Sequence, residues 1–201
     1  MLQPLYGLRG DWPSHLIYAR LPDDGMRYEV LDGEVVVSPS PGSPHQGMQA
    51  ELMYQLVRLV GRKRLGRVFG DLDCELAAHD VVRPDLLVVL PRHHHRIDAT
   101  RVLGTPDLAI EILSPGNKYL DRHRKRRRYE RAGTPELWLV DGERHTVTQF
   151  VHDGAYFAAP RTPTRSLRLA ILPEVVIPFG ALRCVLGRAA TSSVPPWSAA
   201  R

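Results

Sequence analysis

Apolar positions along the chain fall into short runs divided by turn-forming clusters, with two helical stretches between them. The segment RYEVLDGEVVVSPSP reads as two strands around Asp32-Gly33, a pair that suits a tight hairpin because both central residues need positive φ. After the breaker run SPSPGSP a helix is predicted through about Arg64, with Ser43 as its cap and Pro44 in its first turn. Met48, Leu52, Leu56, Leu59 and Val60 give that helix an apolar stripe, and Gly61 or Gly66 ends it. RVFGDLDCELAA, VVRPDLLVVLP and PDLAIEILSP then read as strands, the last two as near-continuous apolar runs expected of strands covered on both faces. HHHRIDATRVLG between them reads as a polar connection. A second helix, capped by Asn117 or Asp121, should reach Ala132 and stop at Gly133. ELWLVD and HTVTQFVHDGAYF add a strand and a hairpin around Asp153-Gly154, and VVIPFGALRCVL adds one short element. This order of elements describes an α/β fold with a mixed central sheet.

The 201 residues suit one domain with appendages: an N-terminal extension over 1–24, the domain over 25–160, and a C-terminal extension over 161–201 ending in a flexible tail. Cys74 and Cys184 are too few and too distant in sequence for a disulfide scaffold or zinc ribbon, and they read as buried small hydrophobes. No apolar run approaches the roughly 20 residues that span a bilayer, and the start lacks the order of a secretory signal. A cytoplasmic location with no membrane partner is therefore expected. The formal charge of +5 favours a polyanionic partner, but only weakly until the charges are located.

Two apolar strands carry acids, Asp85 in RPDLLVV and Glu111 in AIEILSP. A carboxylate on a covered strand is costly unless a metal ion, a set of hydrogen bonds or a cationic partner compensates it. Enough chain separates the two acids for an out-and-back connection, which allows neighbouring strands and an oxygen-rich site for Mg²⁺. Each acid alone could equally face solvent at a strand end or pair with an arginine. In the basic string that follows, Lys125 shares a helical stripe with Asp121, Tyr129 and Ala132, so it is the cation expected to face inward. His93 to His95 and Ser114 read as loop and turn residues. Asp107 reads as a strand-start cap or a supporting acid, and His45 as either a helix-start cap or a phosphate donor.

Taken in order, YEVLDGE, SPSPGSPH, RPDLLVV, PDLAIEILSPG, the DxxxK of Asp121 to Lys125, and YERAGTPELWLVD resemble the Uma-type family of restriction endonucleases, within the PD-(D/E)XK nuclease superfamily. The resemblance runs from about Tyr28 to Tyr156. It implies a restriction-endonuclease-like core, with a mixed central β-sheet flanked by helices. It also implies a Mg²⁺ (or Mn²⁺) dependent endonuclease hydrolysing phosphodiester bonds in DNA. Carried over, Asp85 and Glu111 become metal-holding catalytic acids and Lys125 the catalytic lysine. Glu34 and His45 become supporting residues. If the site is active, the flanking Arg122, Arg126 and Arg128 are expected to hold backbone phosphates. Leu113 stands two residues after Glu111, where many nucleases of the superfamily have lysine, and the helix lysine is expected to reach that place. An alternative for the same residues is a non-catalytic nucleic-acid-binding or oligomeric assembly protein that keeps the fold. A homodimer suits either reading, since sheet edges are expected to be exposed.

Overall fold

The computed structural model describes residues 17, 20–22, 24, 26–38, 40–113, 120–180 and 182, with the side chains of 120–122 excepted. The expected turn at Ser114 to Gly116, the caps Asn117 and Asp121, the side chain of Arg122, Cys184 and the tail lie outside these residues. Strands β1 (Arg27–Leu31) and β2 (Glu34–Ser38) form the expected hairpin, with Asp32 at φ 53° and Gly33 at φ 73°. Helix α1 (Ser43–Leu56) begins one residue earlier than expected. Gly42 is its N-cap and Ser43 already lies inside the helix, with Pro44 in the first turn where a missing N–H costs nothing. A π-helical turn (Val57–Gly61) carries the helix on.

Two segments that read as single strands are each split between sheets. RVFGDLDCELAA becomes β3 (Arg67–Gly70) and β4 (Asp73–Ala77), broken where Asp71 takes φ 50°. VVRPDLLVVLP becomes β5 (Asp80–Val82) and β6 (Leu86–Val89). The break falls at Arg83-Pro84, where proline lacks the N–H a ladder needs and so ends the pairing. The polar connection also holds more order than its composition suggested, with a 3₁₀ turn over Pro91–Arg96 and strand β7 (Arg101–Leu103). Strand β8 (Leu108–Leu113) follows. The second helix enters as a π-helical turn (Leu120–Lys125), continues as α2 (Arg126–Arg131), and is closed by Gly133 at φ 70°. Strands β9 (Glu136–Asp141) and β10 (Thr146–Val151) form a hairpin, and β11 (Ser166–Arg168) pairs with β12 (Val176–Pro178).

Of the two five-stranded sheets, one has the order β2-β1-β5-β4-β7 and the other β10-β9-β8-β6-β3, and β11 and β12 form a separate two-stranded sheet. Each five-stranded sheet contains one parallel pair, β4 with β7 and β8 with β9, among antiparallel neighbours, so both are mixed. The β8–β9 pair is parallel because the second helix returns the chain to the same end of the sheet, as a crossover must.

Strands β6, β8 and β9 are buried along their whole length, which explains their unbroken apolar sequence. Alternation sorts their side chains. Leu86, Val88, Leu108, Ile110, Ile112, Trp138 and Val140 pack against Met48, Leu52 and Leu56 of α1, and against Leu167, Leu169, Ile177 and Phe179 from beyond residue 160. On the opposite face Leu87, Val89, Ala109, Leu113, Leu137 and Leu139 meet Leu31, Cys74, Val82 and Val102 of the first sheet and Tyr129 of α2. Cys74 is fully buried, and burial pushes its thiol well above the usual range, so it acts as a packing group. No helix among the described residues is long and apolar enough to cross a membrane.

Candidate active site

Period-two alternation puts Glu111 on the face of β8 that looks toward the first sheet and α2. On the neighbouring antiparallel strand, Leu86 faces Ile110, so Asp85 stands one step before β6 at the same end. The Ile112 N–H donates to Asp85 Oδ2 at 2.6 Å, which ties the carboxylate to the end of β8. The sequence expectation of acids on adjacent strands therefore describes the geometry. Asp85 is 2% exposed and Glu111 1%, so each must be compensated locally.

Asp85 receives three further contacts. Arg27 Nη1 donates to its Oδ1 at 2.7 Å, and His45 Nε2 lies 3.3 Å from Oδ2. Gln49, one helical turn after His45 on α1, donates from Nε2 to the Asp85 backbone carbonyl at 3.0 Å. Burial alone would raise the Asp85 carboxyl, but the His45 hydrogen bond and the Arg27 charge outweigh it and hold the group at about 2. Arg27 is affected in turn. Burial would lower its pKa, yet the charges of Asp85, Glu111 and Glu29 keep it above the usual guanidinium value.

Glu111 is met from the second helix. Lys125 Nζ donates to its Oε2 at 3.0 Å and the Tyr129 hydroxyl to its Oε1 at 2.7 Å. The step of four residues brings both side chains to one face of the helix. Burial first, and then the Glu111 charge, pushes the Tyr129 hydroxyl well above its usual range, so it remains a proton donor to the carboxylate. Lys125, 3% exposed, also lies 2.9 Å from Glu29 Oε1. That same oxygen accepts from the Arg83 N–H at 2.8 Å. Glu29 thus links the lysine to the turn that carries Asp85.

Arg27 and Glu29 are the residues that sequence reasoning missed. Both lie on β1, two positions apart and so on one face. A signal was present: Glu29, between Tyr28 and Val30, is fully buried in a strand, as Glu111 is between Ile110 and Ile112. The expectation went instead to Glu34, whose side chain is half exposed and pairs with Arg124 at 3.0 Å outside the buried cluster. His45 does reach the cluster.

Among the expected phosphate contacts, Arg128 is turned inward and ion-paired with Asp32 and with Asp80, the latter at 3.1 Å. Arg126 pairs with Glu130 at 3.3 Å and lies over the Phe150 ring. His93 Nδ1 is 3.0 Å from Asp107, which also accepts from Leu90 N and Arg92 and so pins the 3₁₀ turn to the start of β8.

The donor chemistry fits a hard cation. Asp85, Glu111 and Glu29 bring three carboxylates against the basic side chains of Arg27 and Lys125. Glu29 Oε2 is buried without a hydrogen-bond partner. Among the described residues no three ligating side chains converge into a closed metal cage. Mg²⁺ binds through one or two carboxylates and takes its remaining oxygens from water and phosphate, and the Asp85 and Glu111 carboxylates are donors of that type.

The fold has a solved counterpart. A crystal structure of "a putative nuclease belonging to DUF820" from Anabaena variabilis ATCC 29413 superposes with a TM-score of 0.71, covering 84% of this chain and 96% of that one at 21% identity. No curated protein matches the chain. A family model described as "Putative restriction endonuclease" matches residues 17–180, a span holding both sheets, both helices and every residue of the buried cluster, and on that match the chain belongs to the Uma2 family.

Proposed function

We propose that the protein is a divalent-metal-dependent endonuclease that hydrolyses phosphodiester bonds in DNA, with Asp85, Glu111 and Lys125 as its catalytic residues. The observation that carries this reading is the meeting of two strand carboxylates with one helix ammonium, Lys125 Nζ lying 3.0 Å from Glu111 Oε2. When bound, Mg²⁺ or Mn²⁺ supplies Lewis-acid polarisation of the phosphate and a water of lowered pKa. Asp85 and Glu111 would hold it. Asp85 is suited to this because Arg27 and His45 keep it ionised far below neutral pH. Lys125 offers a compact ammonium with several donor directions, able to stabilise charge that develops on a phosphate oxygen while staying anchored by its carboxylates. Glu29 positions that ammonium from behind, and Tyr129 fixes the rotamer of Glu111 by donating to its other oxygen. His45, at 3.3 Å from Asp85, orients the carboxylate from α1.

Purified protein should relax and linearise supercoiled DNA with Mg²⁺ or Mn²⁺. Glu111→Gln, which keeps the side-chain shape and removes the charge, should lose about 100-fold or more, beyond the 10–100-fold typical of outer ligand partners. Metal-independent cutting, or full activity in Glu111→Gln, contradicts the reading. One feature favours a second reading as a non-catalytic DNA-binding protein: the cluster is closed on itself, with Asp85, Glu111 and Lys125 all at most 3% exposed. That reading expects DNA binding that survives Asp85→Ala and Glu111→Ala, with no cleavage by the wild type under any metal condition.

A further inference from the structure

Lys125 and Tyr129 occupy the inward face of the second helix, and its opposite face carries a different set of residues. His123, Arg124, Arg127 and Arg131 follow steps of three and four and so share one side of the helix, away from the carboxylates. His123 and Arg127 are exposed, and the side chains of Arg124 and Arg131 are 34% and 71% exposed. With Asp32 and Arg128 these four line a cleft of about 280 Å³. Among the described residues Asp32 is the one carboxylate of that lining, and it is engaged by Arg128 and lies 3.9 Å from Arg131. Arg127 and Arg131 also border a second cleft, of about 440 Å³, together with His152 and Tyr156.

Like charges at i and i+4, as in Arg124 with Arg128 and Arg127 with Arg131, disfavour a helix by a few tenths of a kcal/mol each. Arg126 pairs with Glu130 and Arg128 with Asp32 and Asp80, while on the outward stripe Arg124 meets Glu34 at 3.0 Å and Arg131 lies 3.9 Å from Asp32, so the stripe's three arginines outnumber these two half-exposed acids. Such a surplus suits a polyanion. The described lining of the 280 Å³ cleft is basic side chains with Asp32, which suits phosphate contacts, while the Tyr156 ring lines the larger cleft.

We infer that the stripe His123, Arg124, Arg127 and Arg131 is a track for the phosphate backbone of duplex DNA, outside the catalytic cluster and replacing Arg126 and Arg128 in that role. The inference rests on the DNA substrate proposed above, not on cleavage. Contacts of this kind supply affinity and orientation without reading sequence.

The test is fluorescence anisotropy of the full chain with a labelled duplex in EDTA, titrated over about 50–200 mM salt, where backbone contacts dominate the salt dependence. Wild type should bind with affinity that falls steeply with salt. Arg127→Ala/Arg131→Ala should make the log–log slope shallower by about two, at an unchanged melting temperature. Arg126→Ala should leave the slope as in wild type. An unchanged slope in the double variant, no duplex binding by wild type, or stronger binding to single strands than to duplex would overturn the track. Arginine-dependent binding without any cleavage would overturn the nuclease reading alone, and cleavage with no dependence on Arg127 and Arg131 would overturn the track alone.

Discussion

Glu29 shows how a single buried oxygen can join two parts of a site. Its Oε1 accepts from both the Arg83 N–H and Lys125 Nζ, while Oε2 is left without a partner. Glu29→Gln retains an amide oxygen for Arg83 but removes the charge that faces the ammonium. In that variant kcat for DNA cleavage should fall about 10–100-fold, the range for groups that orient a site's ligands, while KM and duplex affinity stay as in wild type. A loss of KM and kcat together, with a lowered melting temperature, would make Glu29 a structural residue only.

Asp85 makes a prediction about acid stability. Its folded value of about 2 lies below the ordinary 3.8, so the folded state favours the ionised form. The resulting stabilisation, about 2 kcal/mol, is fully present above pH 4 and is lost as pH falls through the folded value. Urea unfolding at pH 2, 4 and 7 should show that loss in wild type. In Asp85→Asn the acid limb should be flatter by that amount, and an identical limb would refute the assignment.

At the scale of elements, the second helix separates two kinds of work by face. Its inward stripe completes the buried cluster and its outward stripe presents arginines, while Arg128 ties it to the turns at Asp32 and Asp80. Strand β9 performs a comparable service for the chain beyond residue 160. Glu136 is fully buried, and its Oε1 accepts from Trp138 Nε1 and Gln149 Nε2, both at 2.6 Å. Its Oε2 accepts from Ala170 N at 2.7 Å and Ile171 N at 3.1 Å. All four partners are donors, so Glu136→Gln forces an amide N–H against at least one of them. A cost of about 2 kcal/mol is expected. Hydrogen exchange should then show residues 166–178 opening before the central strands. Unchanged protection there would mean that the apolar contacts of Leu167 and Ile177 alone hold the segment.

For the molecule as a whole, the long unbroken apolar strands and the Asp32-Gly33 hairpin were legible because each depends on local pattern. Burial on both faces writes a continuous apolar run, and a turn with two positive φ values selects its own residues. The split of VVRPDLLVVLP was harder to read. Whether Pro84 ends one ladder and lets the next begin in another sheet depends on partners distant in sequence. Leu167 and Ile177 lie in proline-rich surroundings that suggested an appendage, yet their burial comes from packing on β9 and its neighbours. In the site, Glu111 announced itself as an acid amid aliphatics, and helical spacing singled out Lys125. Glu29 carried the same signal but stood in a shorter strand beside the more familiar DGE turn. Arg128 could not be told from Arg127 by composition, because only the position of the hairpin tips decides which arginine is buried.

The central claim is that Asp85, Glu111 and Lys125 together cut DNA with a divalent ion. Its most direct test is the conversion of supercoiled plasmid to nicked and linear forms by wild type, Asp85→Asn, Glu111→Gln and Lys125→Ala, across a Mg²⁺ and Mn²⁺ titration with EDTA controls. Wild type should cut with saturable metal dependence and stop in EDTA, and each variant should remain folded and lose about 100-fold or more. Cutting that persists in EDTA, or that any of the three substitutions leaves at the wild-type rate, would contradict the account.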